Sequence, residues 1–217
     1  MGVKLIFMRH AQTYLNKYER MQGWSNAPLT QSGVTDCHAS GRGLAHVKFD
    51  AVYTSDLQRT IDTANIILSE NKVSSDLTIV PMYEFREVFF GHFEGLPVKD
   101  IWPKVIEMSG KDDDAKKKLL DNMHALDPSG DSENYMAFWL RIYQGLHKLI
   151  EQYRDTDKTI LVVSHGLALN IMLSAILPEH TFRGPLSNAS VTEVTYENGQ
   201  FTLNKFNGVD HFIYLEK

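Results

Sequence analysis

The stretch IFMRHAQT, residues 6–13, ends an apolar run with two polar side chains. The run VKLIFM (3–8) has the pattern of a short buried strand. A cation, Arg9, and a titratable ring, His10, come directly after it. Such an ending is informative if the other strands of the chain end in the same way.

Two further stretches have the apolar pattern of short strands, TILVV (159–163) and FDAVYTS (49–55), the second with weaker alternation. Apolar residues that recur every three or four positions predict three helices, at residues 55–70, 133–154 and 166–177. We expect Ser55 or Thr54 to be the N-cap of the first helix. Residues 190–212 alternate on either side of ENGQ, which predicts an edge hairpin.

Strands that alternate with helices along the chain predict a mostly parallel sheet in an α/β layer fold. No repeat or long linker divides the 217 residues, so we expect a single domain, residues 1–217. The least regular stretch, residues 96–131, contains GKDDDAKKK and predicts a helical insertion. This insertion is either a solvated surface segment or a cap over a functional site.

Composition and charge are those of a soluble globular protein, with 43% hydrophobic and 23% charged residues. No apolar run is long enough to span a bilayer, and a secretory signal is not expected. The net charge of −5 does not favour nucleic acid or an anionic membrane as a partner. The single cysteine, Cys37, excludes an intrachain disulfide and agrees with a cytoplasmic location. The sequence indicates no oligomeric state.

Polar residues come after each of the three predicted strands. The first strand ends in Arg9 and His10. The second ends in Thr54 and Ser55, with Arg59 just after them, and the last ends in Ser164, His165 and Gly166. Ligands of a parallel sheet bind outside the carboxyl ends of the strands, so neighbouring strands would bring these groups into one crevice. Arg59 near a helix N-terminus opposes the macrodipole, whereas a bound anion would reverse that penalty.

Other kinds of site fit the pattern less well. A single arginine or histidine at a strand end is usually a surface or structural residue, but two of each are harder to explain in this way. No H-E-x-x-H or C-x-x-C pair marks a zinc site. Ser164 adjoins His165, yet Val162 stands where the serine-hydrolase motif needs glycine. Gly110-Lys111 lacks the upstream glycine of a P-loop.

Arginine and histidine together suit phosphoryl transfer. Guanidinium groups bind phosphate bidentately, and histidine can be a covalent nucleophile. The reaction needs positioning and charge neutralisation above all, which such a site can supply without a metal. An acid must still protonate the departing oxygen. Glu84, Glu87 and Glu94 are candidates, and the residues alone do not choose among them.

Five motifs in order resemble those of the histidine phosphatases, a family that includes the cofactor-dependent phosphoglycerate mutases. The resemblance covers nearly the whole chain. FMRHAQT is similar to the family's Arg-His-Gly-x-Thr signature, and the four other stretches are NAPLTQSG (26–33), YTSDLQRTIDTA (53–64), FREVFFGHFEG (85–95) and VVSHG (162–166). The resemblance implies a three-layer α/β/α sandwich.

The resemblance also implies roles for individual residues. His10 would be the nucleophile, Glu87 would be the proton donor, and three side chains would grip the phosphoryl oxygens: Arg9, Arg59 and His165. Four further residues would contact phosphate or substrate: Asn16, Gln22, Gly23 and Gly166. The family usually has glycine where this chain has Ala11, which would be strained if the backbone φ there is positive.

We therefore expect a metal-independent phosphomonoesterase, without a cofactor, that acts on a small phosphorylated metabolite. The alternatives are a phosphoglycerate mutase and a non-catalytic phosphate-binding module, which the complete set of catalytic side chains argues against. Mutases of the family carry paired arginines in a longer insertion and a tail that covers the site. This chain has no arginine between Arg86 and Arg141, its Lys116 to Lys118 come shortly after Asp112 to Asp114, and it ends soon after the predicted hairpin. These features favour the phosphatase.

Overall fold

A computed structural model of the chain describes residues 1–110, 115–178 and 184–215, and the side chains of residues 115–117 lie outside that description. Within it, six strands form one sheet: β1 (Val3–Arg9), β2 (Ala51–Ser55), β3 (Ile79–Met82), β4 (Thr159–Ser164), β5 (Val191–Glu197) and β6 (Gln200–Gly208). The strand order is β3-β2-β4-β1-β5-β6. The first four strands of this order are parallel, and β5 of the β5-β6 hairpin pairs with β1 antiparallel. The predicted mostly parallel sheet and its edge hairpin are both present.

Helices pack on both faces of this sheet, as the alternation of the strands dictates. The helices are α1 (Tyr14–Lys17), α2 (Gln31–Gly43), α3 (Gln58–Glu70), α4 (Val98–Ser109), α5 (Ala115–Leu126), α6 (Tyr135–Tyr153) and α7 (Gly166–Ile176). Leu5 and Phe7 of β1 belong to a hydrophobic cluster with α6 and α7. Ile6 and Met8 belong to a second cluster with α2 and α3. The predicted three-layer α/β/α fold is therefore confirmed.

One predicted detail of α3 is wrong. The helix begins at Gln58 with Leu57 as its N-cap, rather than with Ser55 or Thr54. Ser55 is the last residue of β2, and its hydroxyl lies 2.8 Å from Nε2 of His165 and 2.8 Å from Oγ1 of Thr60. The Ser55 hydroxyl, which was expected to cap the helix, instead forms a hydrogen bond with His165, the residue after β4.

Residues 96–131 contain α4 and α5, so the helical prediction holds for this stretch. Residues 111–114, with the three aspartates, lie outside the described part of the chain, as do the side chains of Lys116 and Lys117. Within the described residues, no helix is both long enough and apolar enough to cross a bilayer.

The residues after β6 run along α2. The amide of Ile213 donates to the carbonyl of Ala39, and Arg42 donates through Nε to the carbonyl of Ile213. Tyr214 donates its hydroxyl to Asp36. Residues 209–215 therefore lie against the helix layer that also holds α3.

Candidate active site

The carboxyl ends of β2, β4 and β1 are adjacent and bring the predicted site residues together. β4 lies between the other two strands, and the amide of His10 donates to the carbonyl of Ser164 over 3.0 Å. The rings of His10 and His165 are 5.2 Å apart between centroids. Arg59, in the first turn of α3, contacts both rings. The predicted convergence of strand ends is confirmed.

His10 has one defined tautomer. Its Nδ1 lies 2.8 Å from the carbonyl oxygen of Ala11, which can only accept, so Nδ1 carries the hydrogen. The Nε of Arg59 donates to Nε2 of His10 over 3.2 Å, so Nε2 carries the lone pair. Burial, with Arg59 and then Arg9 nearby, lowers the pKa of His10 well below its ordinary value. The ring is therefore neutral at physiological pH, and its electron pair lies on Nε2, where it accepts the hydrogen bond from Arg59.

His165 has the opposite tautomer. Nη2 of Arg59 donates to its Nδ1 over 2.9 Å, so the hydrogen is on Nε2 and is donated to Ser55 over 2.8 Å. The side chain is fully buried. Burial first, and then the charge of Arg59, lowers its pKa well below the ordinary value. His165 is thus a neutral ring held between a cation and a hydroxyl.

Arg59 uses its three guanidinium nitrogens within the protein. Besides the two rings, it donates to the carbonyls of Gly23 (2.6 Å) and Ser25 (3.0 Å) and to Oδ1 of Asn26 (3.3 Å). Burial lowers its pKa to about 10, which leaves it a cation at neutral pH. The carboxylate of Glu94 fixes this loop by accepting from the amides of residues 23–25.

Arg9 has a buried donor without a partner. Its Nη1 donates to the carbonyl of Leu186, whereas its Nε is buried with no hydrogen-bond partner among the described residues. A Cβ atom at Gly166 would lie 3.1 Å from that Nε, so the glycine keeps space beside it. A buried unpaired cationic donor is costly, and an anion in the adjacent cavity would satisfy it.

Glu87 lies at the N-terminus of α7. Its Oε1 accepts from the amides of Val88 (3.0 Å) and Ala168 (2.7 Å), and its Oε2 accepts from the amide of Leu167 (3.0 Å). Burial raises the pKa of Glu87, and these three amides oppose the increase. The carboxyl group therefore holds a proton to a higher pH than an exposed glutamate does.

A cavity of about 860 Å³ opens above these groups. Six of the predicted site residues line it: Arg9, His10, Asn16, Gln22, Glu87 and Gly166. Arg59 and His165 are not among the lining residues: Arg59 donates to Nε2 of His10, and the ring of His165 lies edge-on to that of His10. Gly23 does not line the cavity, because its amide binds Glu94 and its carbonyl accepts from Arg59. Gly23 therefore contacts the arginine, and its direct contact with a ligand stays a prediction.

The two other candidate acids have surroundings that differ from those of Glu87. Glu84 pairs with Lys148. Glu94 lies under the loop of residues 23–25. Of the three, Glu87 is the one that lines the cavity together with His10. The structure therefore places Glu87 beside His10, and the role of Glu87 as the acid stays a prediction.

Asn16 and Gln22 form a polar side of this cavity. Nδ2 of Asn16 donates to Oε1 of Gln22 over 3.3 Å, and Thr13 donates its hydroxyl to the same oxygen over 2.6 Å.

Ala11 does not have a positive φ, so alanine in place of the family's glycine causes no backbone strain. Its amide donates to Oγ1 of Thr63 over 3.0 Å.

Sequence reasoning missed one residue that fixes the site, Asn188, and gave another, Ser55, only the role of a helix cap. Nδ2 of Asn188 donates to the carbonyl of His10 over 2.9 Å, and Asn188 also lines the cavity. Ser55 orients His165, although its position had indicated a helix cap. Nothing in the sequence pattern around Asn188 distinguishes it, whereas Ser55 stands at a strand end and could have been found there. Among the described residues, no group of three or more His, Cys, Asp and Glu side chains is placed to hold a metal ion.

Comparison with known proteins gives a family. The model of the histidine phosphatase superfamily (branch 1) matches residues 5–208. A Yersinia pestis protein named "Probable phosphoglycerate mutase GpmB" is 29% identical over 199 residues, covering 90% of this chain and 86% of the relative.

Two solved structures extend the comparison. The crystal structure of phosphoglycerate mutase from Bacillus anthracis is 31% identical, covers 97% of this chain and 95% of its own, and has a TM-score of 0.88. Phosphoserine phosphatase from Entamoeba histolytica, in complex with 3-phosphoglyceric acid, is 25% identical, covers 97% of this chain and 100% of its own, and has a TM-score of 0.73. The matched range, the five motifs and the shared fold together make this chain a member of the histidine phosphatase superfamily.

Proposed function

We propose that the protein hydrolyses the phosphomonoester of a small metabolite through a phosphohistidine at His10, without a metal. The observation that carries the proposal is the lone pair on Nε2 of His10, on a neutral ring that lines a cavity beside Arg9. The partner is a small phosphorylated substrate, and the net charge of −5 offers no general attraction to nucleic acid or membranes. In this proposal residues 96–131 are a cap within a single domain, and the protein works in the cytoplasm.

In the first step, Nε2 of His10 attacks phosphorus, and the P–O bond to the substrate alcohol breaks. The phosphoryl oxygens accept a hydrogen bond from the unpaired Nε–H of Arg9. They also replace Nε2 of His10 as the acceptor for the Nε–H of Arg59, because the electron pair of Nε2 now bonds to phosphorus. The departing oxygen receives a proton from Glu87. Oε2 is the oxygen that suits this task, because it accepts one amide where Oε1 accepts two.

In the second step, water attacks phosphorus, and the P–Nε2 bond breaks. Glu87, now a carboxylate, accepts the proton from the water. Inorganic phosphate leaves, and His10 regains its neutral form. The bond from Nδ1 to the carbonyl of Ala11 holds the ring through both steps.

A mutase is the second candidate, because two of the related proteins carry that name. A mutase must bind a bisphosphate and keep water from the phosphohistidine. Beyond Arg9, the cations that line the described cavity are Arg20 and Lys99, and Glu19 lies beside them. Residues 209–215 run along α2 and do not line the cavity. Both features support hydrolysis.

The test supplies 3-phosphoglycerate with catalytic 2,3-bisphosphoglycerate, and separately a panel of monophosphates, and measures both isomerised product and free phosphate. The proposal predicts release of inorganic phosphate from monophosphates with little isomerisation. Fast isomerisation with little free phosphate would make the mutase assignment correct. No turnover of any substrate would favour a non-catalytic phosphate-binding module.

A further inference from the structure

The cavity wall beyond Glu87 is built by two helices and is mostly apolar, with Lys99 and Asn170 as its polar members. Val98, Trp102 and Ile106 of α4 are spaced four residues apart, so they form one stripe on that helix. Leu167 and Ile171 of α7 have the same spacing and also line the cavity. A substrate that reaches His10 therefore lies next to two hydrophobic helix faces.

Two aromatic rings form part of this wall. The rings of Phe90 and Trp102 meet edge to face, with centroids 6.2 Å apart, and both line the cavity. Leu119 of α5 adds a further apolar side chain. Phe90 is almost fully buried, so the pair is anchored in the protein core. Aromatic side chains in such a position offer a large contact area to an apolar ligand.

Size and charge point in the same direction. The volume of about 860 Å³ lies in the upper part of the range, about 300–1,000 Å³, that holds drug-sized ligands. Arg9 and Glu87 belong to the catalytic end of the cavity. The other charged residues that line it, among those described, are two cations, Arg20 and Lys99, and one carboxylate, Glu19. Among the described lining residues this leaves one cation in excess, so apolar side chains rather than charge make up most of this wall. The space is better filled by an uncharged group.

We infer that the substrate is a phosphomonoester whose alcohol carries an extended apolar or aromatic group. This inference rests on the proposed function. The phosphate lies at Arg9 and His10, and the apolar group lies between the α4 stripe and Leu167 and Ile171 of α7. The reaction is the same P–O cleavage, and the specificity comes from burial of the leaving group.

A series of n-alkyl phosphates, from ethyl to hexyl, tests the inference. Their alcohols have nearly equal basicity, so the chemical step is constant while the buried apolar area grows. A buried methylene contributes about 0.8 kcal/mol, which corresponds to about fourfold in kcat/KM. We expect kcat/KM to rise about fourfold per methylene, roughly 200-fold from ethyl to hexyl phosphate, and hexyl phosphate to exceed 3-phosphoglycerate.

Two variants of α4 provide a matched comparison. Ile106 and Met108 are similarly exposed, at 56% and 50%, but Ile106 lines the cavity and Met108 does not. Ile106→Ser should reduce kcat/KM for hexyl phosphate at least threefold more than kcat/KM for ethyl phosphate, and Met108→Ser should change neither. Trp102→Ala should reduce hexyl phosphate turnover at least tenfold. Because Ile106 is largely exposed, its variant remains informative if Trp102→Ala does not fold.

The outcomes separate the two proposals. Equal kcat/KM along the series, with phosphate released from every member, would overturn the apolar-substrate inference and leave the hydrolase intact. Equal effects of Ile106→Ser and Met108→Ser would also overturn it. No hydrolysis of any member would overturn the hydrolase and the inference with it.

Discussion

Replacing Glu87 with glutamine is the sharpest test of the proposed proton transfer. The side chain keeps its size but loses its proton and its charge. In the structure the carboxylate accepts from the amides of Val88, Leu167 and Ala168. A glutamine can direct its oxygen at Val88 and Ala168, but its NH₂ group then faces the amide of Leu167. One hydrogen bond is lost and the others remain.

The size of the effect can be worked out from these contacts. Loss of one buried hydrogen bond costs about 1–3 kcal/mol of stability, which leaves an ordinary domain folded. Loss of a positioned general acid costs about 10²–10⁴ in rate when the leaving oxygen needs a proton. We therefore expect Glu87→Gln to slow cleavage of butyl phosphate by about 10²–10⁴. Cleavage of 4-nitrophenyl phosphate should fall less than about tenfold, because its departing oxygen scarcely needs protonation.

The assay is alcohol release in a single turnover, which reports the first half-reaction alone. In the wild-type enzyme the rate with butyl phosphate should fall as pH rises through the elevated pKa of Glu87, and this limb should be absent in Glu87→Gln. Glu84→Gln is the matched control, because Glu84 pairs with Lys148 and does not line the cavity. Its rates should match those of the wild type.

Equal losses for butyl and 4-nitrophenyl phosphate would refute the proton-transfer role and leave Glu87 a positioning residue. A selective loss for butyl phosphate in Glu84→Gln would move the role to Glu84.

Three further predictions concern the surroundings of the two histidines. Ser55→Ala leaves the Nε2–H of His165 buried without its acceptor. We therefore expect the free energy of unfolding, measured with urea, to fall by about 1–3 kcal/mol and kcat/KM to fall about tenfold. Unchanged values of both would contradict this. Because burial lowers the pKa of His10 and His165, the unfolded chain binds protons that the folded protein does not. As the pH decreases below about 6.5, the free energy of unfolding should therefore decrease by up to about 1.4 kcal/mol per pH unit for each histidine. His10→Gln should remove the contribution of one histidine to this pH dependence. Glu87 acts with the opposite sign but equally in both proteins, so an unchanged slope would contradict the prediction. Extended dialysis against a chelator should leave kcat/KM for 4-nitrophenyl phosphate unchanged, because the cations of the site are arginines; loss of activity restored by zinc or magnesium would contradict it.

The sequence was sufficient for the central strands and for the residues at their carboxyl ends. Periodicity places Leu5 and Phe7 on one face of β1 and Ile6 and Met8 on the other, and the parallel order brings His10 and His165 together. Local pattern carries this information because a strand's side chains alternate by geometry.

Other features depend on tertiary packing, and local pattern does not carry them. α2 contains Gly33, Gly41 and Gly43 among polar residues, so it has little apolar periodicity and was not predicted. β3 is four residues long and includes Pro81, which the ladder tolerates at the sheet edge. The bond from Asn188 to His10 joins residues far apart in the chain.

The central claim is that the phosphoryl group passes through His10. The most direct measurement is a rapid acid-free quench of the wild-type enzyme during turnover of a ³²P-labelled monoester, followed by peptide mapping. The account predicts phosphate that is stable in alkali and lost in acid, on the peptide that contains His10, and no label in His10→Ala. Label on Ser55 or Ser164, or steady turnover by His10→Ala at a rate near that of the wild type, would contradict it.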